Sequence, residues 1–155
     1  MAGLDMALSE NFTLWEFVVS VTAQKHGVDN TPNKTEIERL RKLCVEILQP
    51  ARNALGPLKI NSGFRSEQLN KLVKGSKTSA HRLGYAADVR PINVGTREFA
   101  KWVVANCSEY DQVILEFGTL ENPDWIHVSV DPNDRKEILR ATLKNGKTVY
   151  SDITI

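Results

Sequence analysis

Two short segments of the chain carry residue types that bind a metal ion. The first, residues 79–88, reads Ser-Ala-His-Arg-Leu-Gly-Tyr-Ala-Ala-Asp and contains His81 and Asp88, and the second, residues 124–127, reads Asp-Trp-Ile-His and ends at His127. Two imidazoles and one carboxylate are typical of a catalytic zinc ion that keeps a coordination position for water. We therefore predict one Zn²⁺, although nickel or cobalt could occupy the same nitrogen and oxygen ligands.

Strand alternation can aim these side chains at a common site. If Asp88 and Ala86 share one face of a strand, the small side chain of Ala86 leaves room for a metal beside the carboxylate. In the same way, Trp125, His127 and Ser129 are predicted to point to one side, while Ile126, Val128 and Val130 point into the core. Gly84 allows the chain to turn between His81 and the strand that carries Asp88.

Helix signals dominate the first half of the sequence. Thr13 and Glu16 form a capping box that predicts a helix ending at Gly27, with His26 as a C-terminal cap rather than a ligand. Thr35 and Glu38 predict a longer helix that Pro50 kinks or breaks. Further helices are predicted after Ser66, which should end at Gly75, and after Thr96, and residues 76–80 are predicted to form the loop that delivers His81.

Strands are predicted mainly in the second half. The candidates are residues 58–60, 86–89, 112–117 and 125–130, followed by a hairpin over residues 138–150 around the turn pair Asn145-Gly146. Together these elements predict an α+β fold of one domain over residues 1–155, with residues 1–11 as an N-terminal lead-in.

Composition excludes several classes of function. The 155 residues carry a formal net charge of +1, which provides no general attraction to nucleic acid or to an anionic membrane. Cys44 and Cys107 lie in separate apolar stretches and are predicted to be buried thiols. No apolar run approaches a membrane span, and the N-terminus lacks a signal peptide pattern, so we expect synthesis in the cytoplasm. The sequence does not indicate an oligomeric state.

The same segments resemble the zinc D-alanyl-D-alanine carboxypeptidase and L-alanyl-D-glutamate endopeptidase family of peptidoglycan hydrolases. The family pattern Ser-x-His-x-x-Gly-x-Ala-x-Asp, followed by Asp or Glu-x-x-His, is present at every fixed position. Residues 62–65, Ser-Gly-Phe-Arg, are similar to the family's Ser-Gly-Tyr-Arg segment. The resemblance covers most of residues 12–130, including Trp-Glu-Phe at 15–17 and Leu-Gln-Pro-Ala-Arg at 48–52, and is strongest to compact bacteriophage and prophage forms.

The resemblance implies a role for each matching residue. It implies zinc ligation by His81, Asp88 and His127, with Asp124 as the general base and Arg65 as the residue that holds substrate. Such a zinc ion lowers the pKa of bound water and polarises the scissile carbonyl. Ser79 either orients His81 or touches substrate, or it is a loop hydroxyl bonded to local backbone. The alternative for Arg65 is a surface salt bridge.

Asp124 poses a geometric problem. An offset of three places Asp124 and His127 on opposite faces of a regular strand, so Asp124 must precede the strand or lie on a bulge. Pro123 favours a strand that begins at about Trp125, because proline cannot donate into a central ladder. The alternative is that Asp124 is a turn residue, and Glu116 and Glu121 are then reserve candidates for the base.

The resemblance also implies the fold and the activity. It implies helices packed on a small, mainly antiparallel sheet, as in the related hedgehog signalling domain, and a zinc metallopeptidase that cleaves peptidoglycan stem or cross-link peptides as a carboxypeptidase or an endopeptidase. We expect a phage or prophage endolysin that reaches the cell wall after phage-assisted release, or a virion component. The alternative is a catalytically silent, zinc-containing binding module of the same fold, since a fold does not determine function.

Overall fold

The computed structural model describes residues 3–155, and the remaining two residues of the predicted lead-in lie outside that range. Helices occupy mainly the first half of the chain. The α-helices are α1 (Leu14–Val18), α2 (Val21–His26), α3 (Lys34–Leu43), α4 (Gln49–Leu55), α5 (Glu67–Leu72), α6 (Ala80–Leu83) and α7 (Thr96–Asn106). Within residues 3–155, none of these helices has the length and apolar character needed to cross a bilayer.

Six strands form one sheet, and two short strands form a separate ribbon. The ribbon pairs β1 (Ala7–Ser9) with β2 (Phe12–Thr13), and the sheet has the order β3-β4-β6-β5-β7-β8. Its strands are β3 (Leu58–Ser62), β4 (Ala86–Pro91), β5 (Gln112–Glu116), β6 (Trp125–Ser129), β7 (Glu137–Lys144) and β8 (Lys147–Asp152). All neighbours are antiparallel except β5 and β7, which are parallel. The predicted α+β class with a mainly antiparallel sheet is confirmed.

The helices cover one face of the sheet and leave the other face open for a site. Val89 on β4, Val113 on β5 and Ile126 on β6 are fully buried and belong to the same core as Leu43 and Phe99 of the helical layer. Burial of such side chains stabilises the fold by about 1.5–3 kcal/mol each. Because successive strand residues point to opposite faces, the residues between these core positions project from the open face.

The first predicted helix is interrupted. It divides into α1 and α2 because Ser20 caps a new helix, with its Oγ accepting from the Ala23 amide at 3.1 Å. The Asn30 side chain donates to the Val18 carbonyl at 2.8 Å, which satisfies the end of α1. The prediction of one continuous helix to Gly27 is therefore wrong, whereas the capping box of Thr13 and Glu16 is present.

The second helix begins and bends differently from the prediction. Its capping box is formed by Asn33 and Glu36, not by Thr35 and Glu38. The helix does not break at Pro50; instead a π-helical turn, Cys44–Leu48, precedes α4. A π turn widens the helix by one residue, which accommodates a proline that lacks an amide donor and crowds the preceding turn.

Smaller corrections concern the elements around the predicted site. Helix α5 is capped by Ser66 as predicted but ends at Leu72, before Gly75. His81 lies on the short helix α6, which Ser79 caps, rather than directly after a loop. Helix α7 is capped by Gly95, and the hydroxyl of Thr96 instead donates to the Pro123 carbonyl at 2.7 Å.

Candidate metal centre and its cavity

The His81 ring is oriented by a hydrogen bond of one of its two nitrogens. Its Nδ1 lies 2.8 Å from the Gly63 carbonyl, which can only accept, so Nδ1 carries the proton and Nε2 offers a lone pair. Gly63 must approach closely for this contact, since a Cβ at this position would lie 2.7 Å from the backbone of Phe17. A hydrogen bond to the second ring nitrogen is how proteins orient a metal-binding imidazole.

Helix α6 is fixed in place by α3. Arg82 donates to Glu36 at 3.0 Å, and Arg39 donates to the Leu83 carbonyl at the same distance. Gly84 then turns the chain into β4 with φ of +85°, and a Cβ there would lie 2.8 Å from the Glu36 carbonyl oxygen. Only glycine adopts this conformation in this space without strain, so the prediction for Gly84 is supported by the structure.

Asp88 and His127 face each other across two neighbouring strands. They are paired in the register of β4 and β6, and both project from the open face of the sheet. The Asp88 Oδ1 atom lies 3.3 Å from His127 Nδ1 and 3.3 Å from His81 Nε2. Ala86 lies two residues along the same strand face and is fully buried, as the sequence predicted.

These three side chains meet the requirements of a metal site. Their ligand atoms all lie within 4.8 Å of one another. Zinc bonds of about 2.0–2.1 Å in tetrahedral geometry place neighbouring ligands about 3.3 Å apart, which matches both separations from Asp88. The Oδ1 atom of Asp88 is buried and accepts no well-oriented hydrogen bond from residues 3–155, so it has an unused lone pair where a cation would lie. The donor set fits a divalent cation.

The protonation of Asp88 agrees with this role. Burial alone would raise its pKa, but the two neighbouring imidazoles outweigh burial and hold the pKa of the carboxyl below its ordinary value. The carboxyl is therefore ionised at neutral pH, which is the form that binds a cation.

Arg65 and Ser79 contact each other at the edge of the centre. The Arg65 Nη2 donates to Ser79 Oγ at 3.0 Å, while the same oxygen accepts from the His81 amide at 3.3 Å. The Arg65 amide also donates to the His81 carbonyl at 3.0 Å. The buried Nε of Arg65 has no acceptor within residues 3–155, so the guanidinium keeps a donor unused beside the candidate ligands. Burial lowers the pKa of Arg65, although the charges of Asp88 and Glu116 oppose this effect.

The three candidate ligands line a cavity of about 870 Å³ on the open face of the sheet. Arg65 and Ser79 line the same cavity, and the segment 73–80 forms one wall. The C-terminal hairpin of β7 and β8, which turns at Asn145-Gly146, contributes the opposite wall through Leu139, Thr148 and Tyr150. Partial burial, together with the charges of Glu116 and Asp88, raises the pKa of Tyr150, so its phenol lies within electrostatic reach of the centre.

The structure places Asp124 away from the other predicted residues. Asp124 precedes β6, as the sequence suggested, and its amide donates to the Glu116 carbonyl at 2.9 Å. Its carboxylate lies over the turn that follows β5, where a Cβ on Gly118 would be 2.9 Å from Asp124 Oδ1. It lines a separate cavity of about 380 Å³ with Arg90 and Thr96. The structure therefore does not bring Asp124 together with the candidate ligands.

Glu116, unlike Asp124, lines the same cavity as the candidate ligands. It ends β5, pairs with Trp125 on β6, and lines the large cavity with the candidate ligands. The Trp125 indole donates to its Oε2. Burial, together with the charge of Asp88, raises the pKa of Glu116 to about 7. The alternation of Gln112, Ile114 and Glu116 along β5 was readable from the sequence, but the register that brings Glu116 next to β6 was not.

His26, the two cysteines and the reserve base candidate Glu121 lie outside the candidate metal centre. His26 is exposed in the last turn of α2 and belongs to no metal-binding group among residues 3–155. Cys44 and Cys107 are free, buried thiols, as predicted. Glu121 is exposed and lies 3.9 Å from Arg97 on the surface.

Comparison with known proteins agrees with the motif and the geometry. A family model described as Peptidase M15 matches residues 10–129. The match includes all three candidate ligands together with Arg65 and Ser79, and it ends before the C-terminal hairpin. A search of curated proteins found no significant match.

Proposed function

The chain belongs to the peptidase M15 family of zinc-dependent metallopeptidases, and on that premise we propose that it hydrolyses an amide bond in the stem or cross-link peptides of peptidoglycan. The observation that carries the proposal is that the ligand atoms of His81, Asp88 and His127 lie close together, and that the Oδ1 atom of Asp88 among them has no hydrogen-bond partner within residues 3–155. A purely structural zinc site is usually closed by four protein ligands. Three ligands beside an open cavity leave a position for water and substrate.

The residues around the candidate ligands suit hydrolysis of a peptide. A bound zinc ion supplies Lewis-acid chemistry, by polarising the scissile carbonyl and lowering the pKa of a bound water. Arg65 lines the same cavity as the candidate ligands, where its guanidinium can hold a substrate carboxylate or stabilise the developing oxyanion. Ser79 keeps the guanidinium in place through its hydroxyl.

The biological setting that we propose is phage or prophage lysis, or penetration of the wall by a virion component. The support is the similarity of the motifs to compact phage forms of the family. The specific bond, whether that of a D,D-carboxypeptidase or of an L,D-endopeptidase, is part of the same proposal. Mass spectrometry of released muropeptides distinguishes these bonds, because each cleavage leaves a different pair of termini.

Zinc-loaded protein is expected to release new amino groups from purified peptidoglycan, and chelation is expected to abolish this release. Added zinc should restore it, because the ligands remain in place. Amine release is measured with a colorimetric reagent before chelation, after chelation and after zinc is returned. Full activity in protein shown to be free of metal contradicts the metallopeptidase mechanism, and absence of release in all three states favours the silent binding module.

Substrate binding through Arg65 is tested by the Arg65→Lys substitution. Lysine keeps the charge but loses the planar array of donors, so we expect KM for a soluble stem peptide to rise about tenfold, with zinc content unchanged. Arg97→Lys is the matched control and should leave KM unchanged, because Arg97 is half-buried like Arg65 but pairs with Glu121 and does not line the large cavity. An unchanged KM in Arg65→Lys removes this residue from substrate binding.

A further inference from the structure

Glu116 is a carboxylate on the open face of the sheet that lines the large cavity without belonging to the candidate ligand set. Glu116 lies on β5, the strand next to His127, and its register partner is Trp125, two residues before His127. Its neighbour on the other side is Ala141 of β7. Ala141 is fully buried and packs with Ile114 and Leu139.

One oxygen of the Glu116 carboxylate accepts a hydrogen bond, and the other oxygen accepts none within residues 3–155. The Trp125 indole donates to Oε2, and Phe117 stacks edgewise on the Trp125 ring with centroids 5.4 Å apart. Within residues 3–155, no group donates a hydrogen bond to Oε1. A general base needs this arrangement, since one oxygen is held while the other can accept a proton.

The alternative carboxylates are poorly placed for the same task. Asp124 lies over the turn after β5 and lines a different cavity. Glu121 is exposed on that turn. Asp88 is a candidate ligand and cannot also serve as a free base. Glu137 also lines the large cavity, but it lies on β7, one strand farther from His127 than Glu116, and its carboxylate accepts a hydrogen bond from Gln112 at 2.8 Å.

We propose that Glu116, and not Asp124, is the general base and acid of the hydrolysis, an inference that rests on the proposed function. Oε1 of Glu116 takes one proton from the attacking water while the water oxygen bonds to the carbonyl carbon. The C–N bond then breaks, and Glu116 returns the proton to the leaving nitrogen. Water and amide thus become carboxylic acid and amine, and the enzyme is unchanged. Trp125 is a positioning residue that holds Oε2.

The test compares three isosteric substitutions: Glu116→Gln, Asp124→Asn and Glu121→Gln. General base catalysis contributes about 10²–10⁴-fold, so kcat of Glu116→Gln with a soluble stem peptide should fall by at least ~100-fold, while KM stays within a few-fold. Zinc content should remain one equivalent. Asp124→Asn and the surface control Glu121→Gln should retain kcat within about threefold of wild type, because neither touches the reaction space.

Two further measurements separate catalysis from a structural role. Glu116→Asp keeps a carboxylate and should recover part of the activity lost in Glu116→Gln. In the cobalt-substituted proteins, the pH midpoint of the visible absorption band should shift in Glu116→Gln and stay at the wild-type value in Asp124→Asn. If Glu116 had only a structural role, Glu116→Asp would not recover activity, and the pH midpoint of the absorption band would not shift in Glu116→Gln.

The outcomes distinguish this inference from the function on which it rests. If wild type cleaves the peptide and Glu116→Gln keeps kcat within threefold, Glu116 is not the base and the proposed function stands. If Asp124→Asn instead loses at least ~100-fold, the base is the one implied by the sequence motif. If zinc-loaded wild type releases no amine from any peptidoglycan, both proposals are overturned.

Discussion

Zinc content of the His127→Ala protein is expected to fall below about a tenth of an equivalent, with peptidoglycan hydrolysis reduced to the level of the chelated wild type. The physical reason is that three protein ligands form the whole donor set, and two of them cannot hold the ion in competition with buffer. His81→Ala and Asp88→Ala should behave in the same way. Metal content is measured by inductively coupled plasma mass spectrometry after gel filtration.

His26→Ala is the matched control for this experiment. His26 is the one histidine of the chain's three that is not a candidate ligand, and it is exposed at the end of α2. Its substitution should leave one equivalent of zinc and full activity. The unfolding temperature of each ligand variant should match that of metal-free wild type, which separates metal loss from unfolding. A ligand variant that keeps a full equivalent of zinc is excluded from the site.

The candidate ligands could be predicted because short sequence segments contain both the ligand residues and the pattern that orients their side chains. Alternation along β4 and β6 determines which face Asp88 and His127 occupy, and that period is visible in the sequence. His81 was identified from the dense grouping of serine, histidine, glycine, alanine and aspartate in residues 79–88 together with the second histidine, since its spacing from Asp88 is weak evidence by itself. The helix on which it lies was missed, because a four-residue helix capped by Ser79 has no periodicity to detect.

The position of the candidate base could not be predicted, because it depends on pairing between distant strands. The motif at residues 124–127 draws attention to Asp124, which lies three positions before His127. Glu116 reaches the centre only because β5 pairs with β6 in a register that places it opposite Trp125. A shift of one residue in that register would send Glu116 to the buried face. Local sequence does not determine such a register.

The order of the strands in the sheet also could not be predicted from the local sequence. The hairpin of β7 and β8 was readable from Asn145-Gly146, but its parallel docking against β5 was not, since that contact joins residues more than twenty positions apart. The helix interruption near Ser20 depends similarly on Asn30, whose side chain reaches back to the Val18 carbonyl. Both features depend on contacts between residues that are far apart in the sequence, which local propensity does not encode.

A buried ion pair fastens the segment that joins β6 to β7, and its loss is expected to destabilise the protein strongly. Asp111 is fully buried and accepts hydrogen bonds from the Arg135 amide at 2.6 Å, from Nε at 3.2 Å and from Nη2 at 2.7 Å. Arg135→Ala leaves the buried carboxylate without its counter-charge. Breaking one partner of a buried pair costs about 3–5 kcal/mol, and because Arg135 is partly exposed we expect about 3 kcal/mol.

The pH dependence of this loss has a definite sign. Burial opposes ionisation of Asp111, but the bonds from Arg135 prevail and lower its pKa in the folded protein. A lowered folded pKa contributes stability that is present above the unfolded pKa of about 3.9 and is lost as pH falls through the folded pKa. The difference in free energy of unfolding between wild type and Arg135→Ala should therefore be largest near pH 7 and shrink as pH falls below about 4.

Urea unfolding of the metal-free proteins at pH 7 and at lower pH measures this difference. Arg97→Ala is the matched control, because its partner Glu121 is exposed at a distance of 3.9 Å. The pair with the exposed Glu121 contributes about 0–1 kcal/mol and the Arg97 bond to the Leu120 carbonyl about 1 kcal/mol, so the control should lose clearly less stability than Arg135→Ala and by the same amount at every pH. If the two variants lose equal stability, or if the Arg135→Ala deficit is independent of pH, the pair between Asp111 and Arg135 is not what fastens the segment before β7.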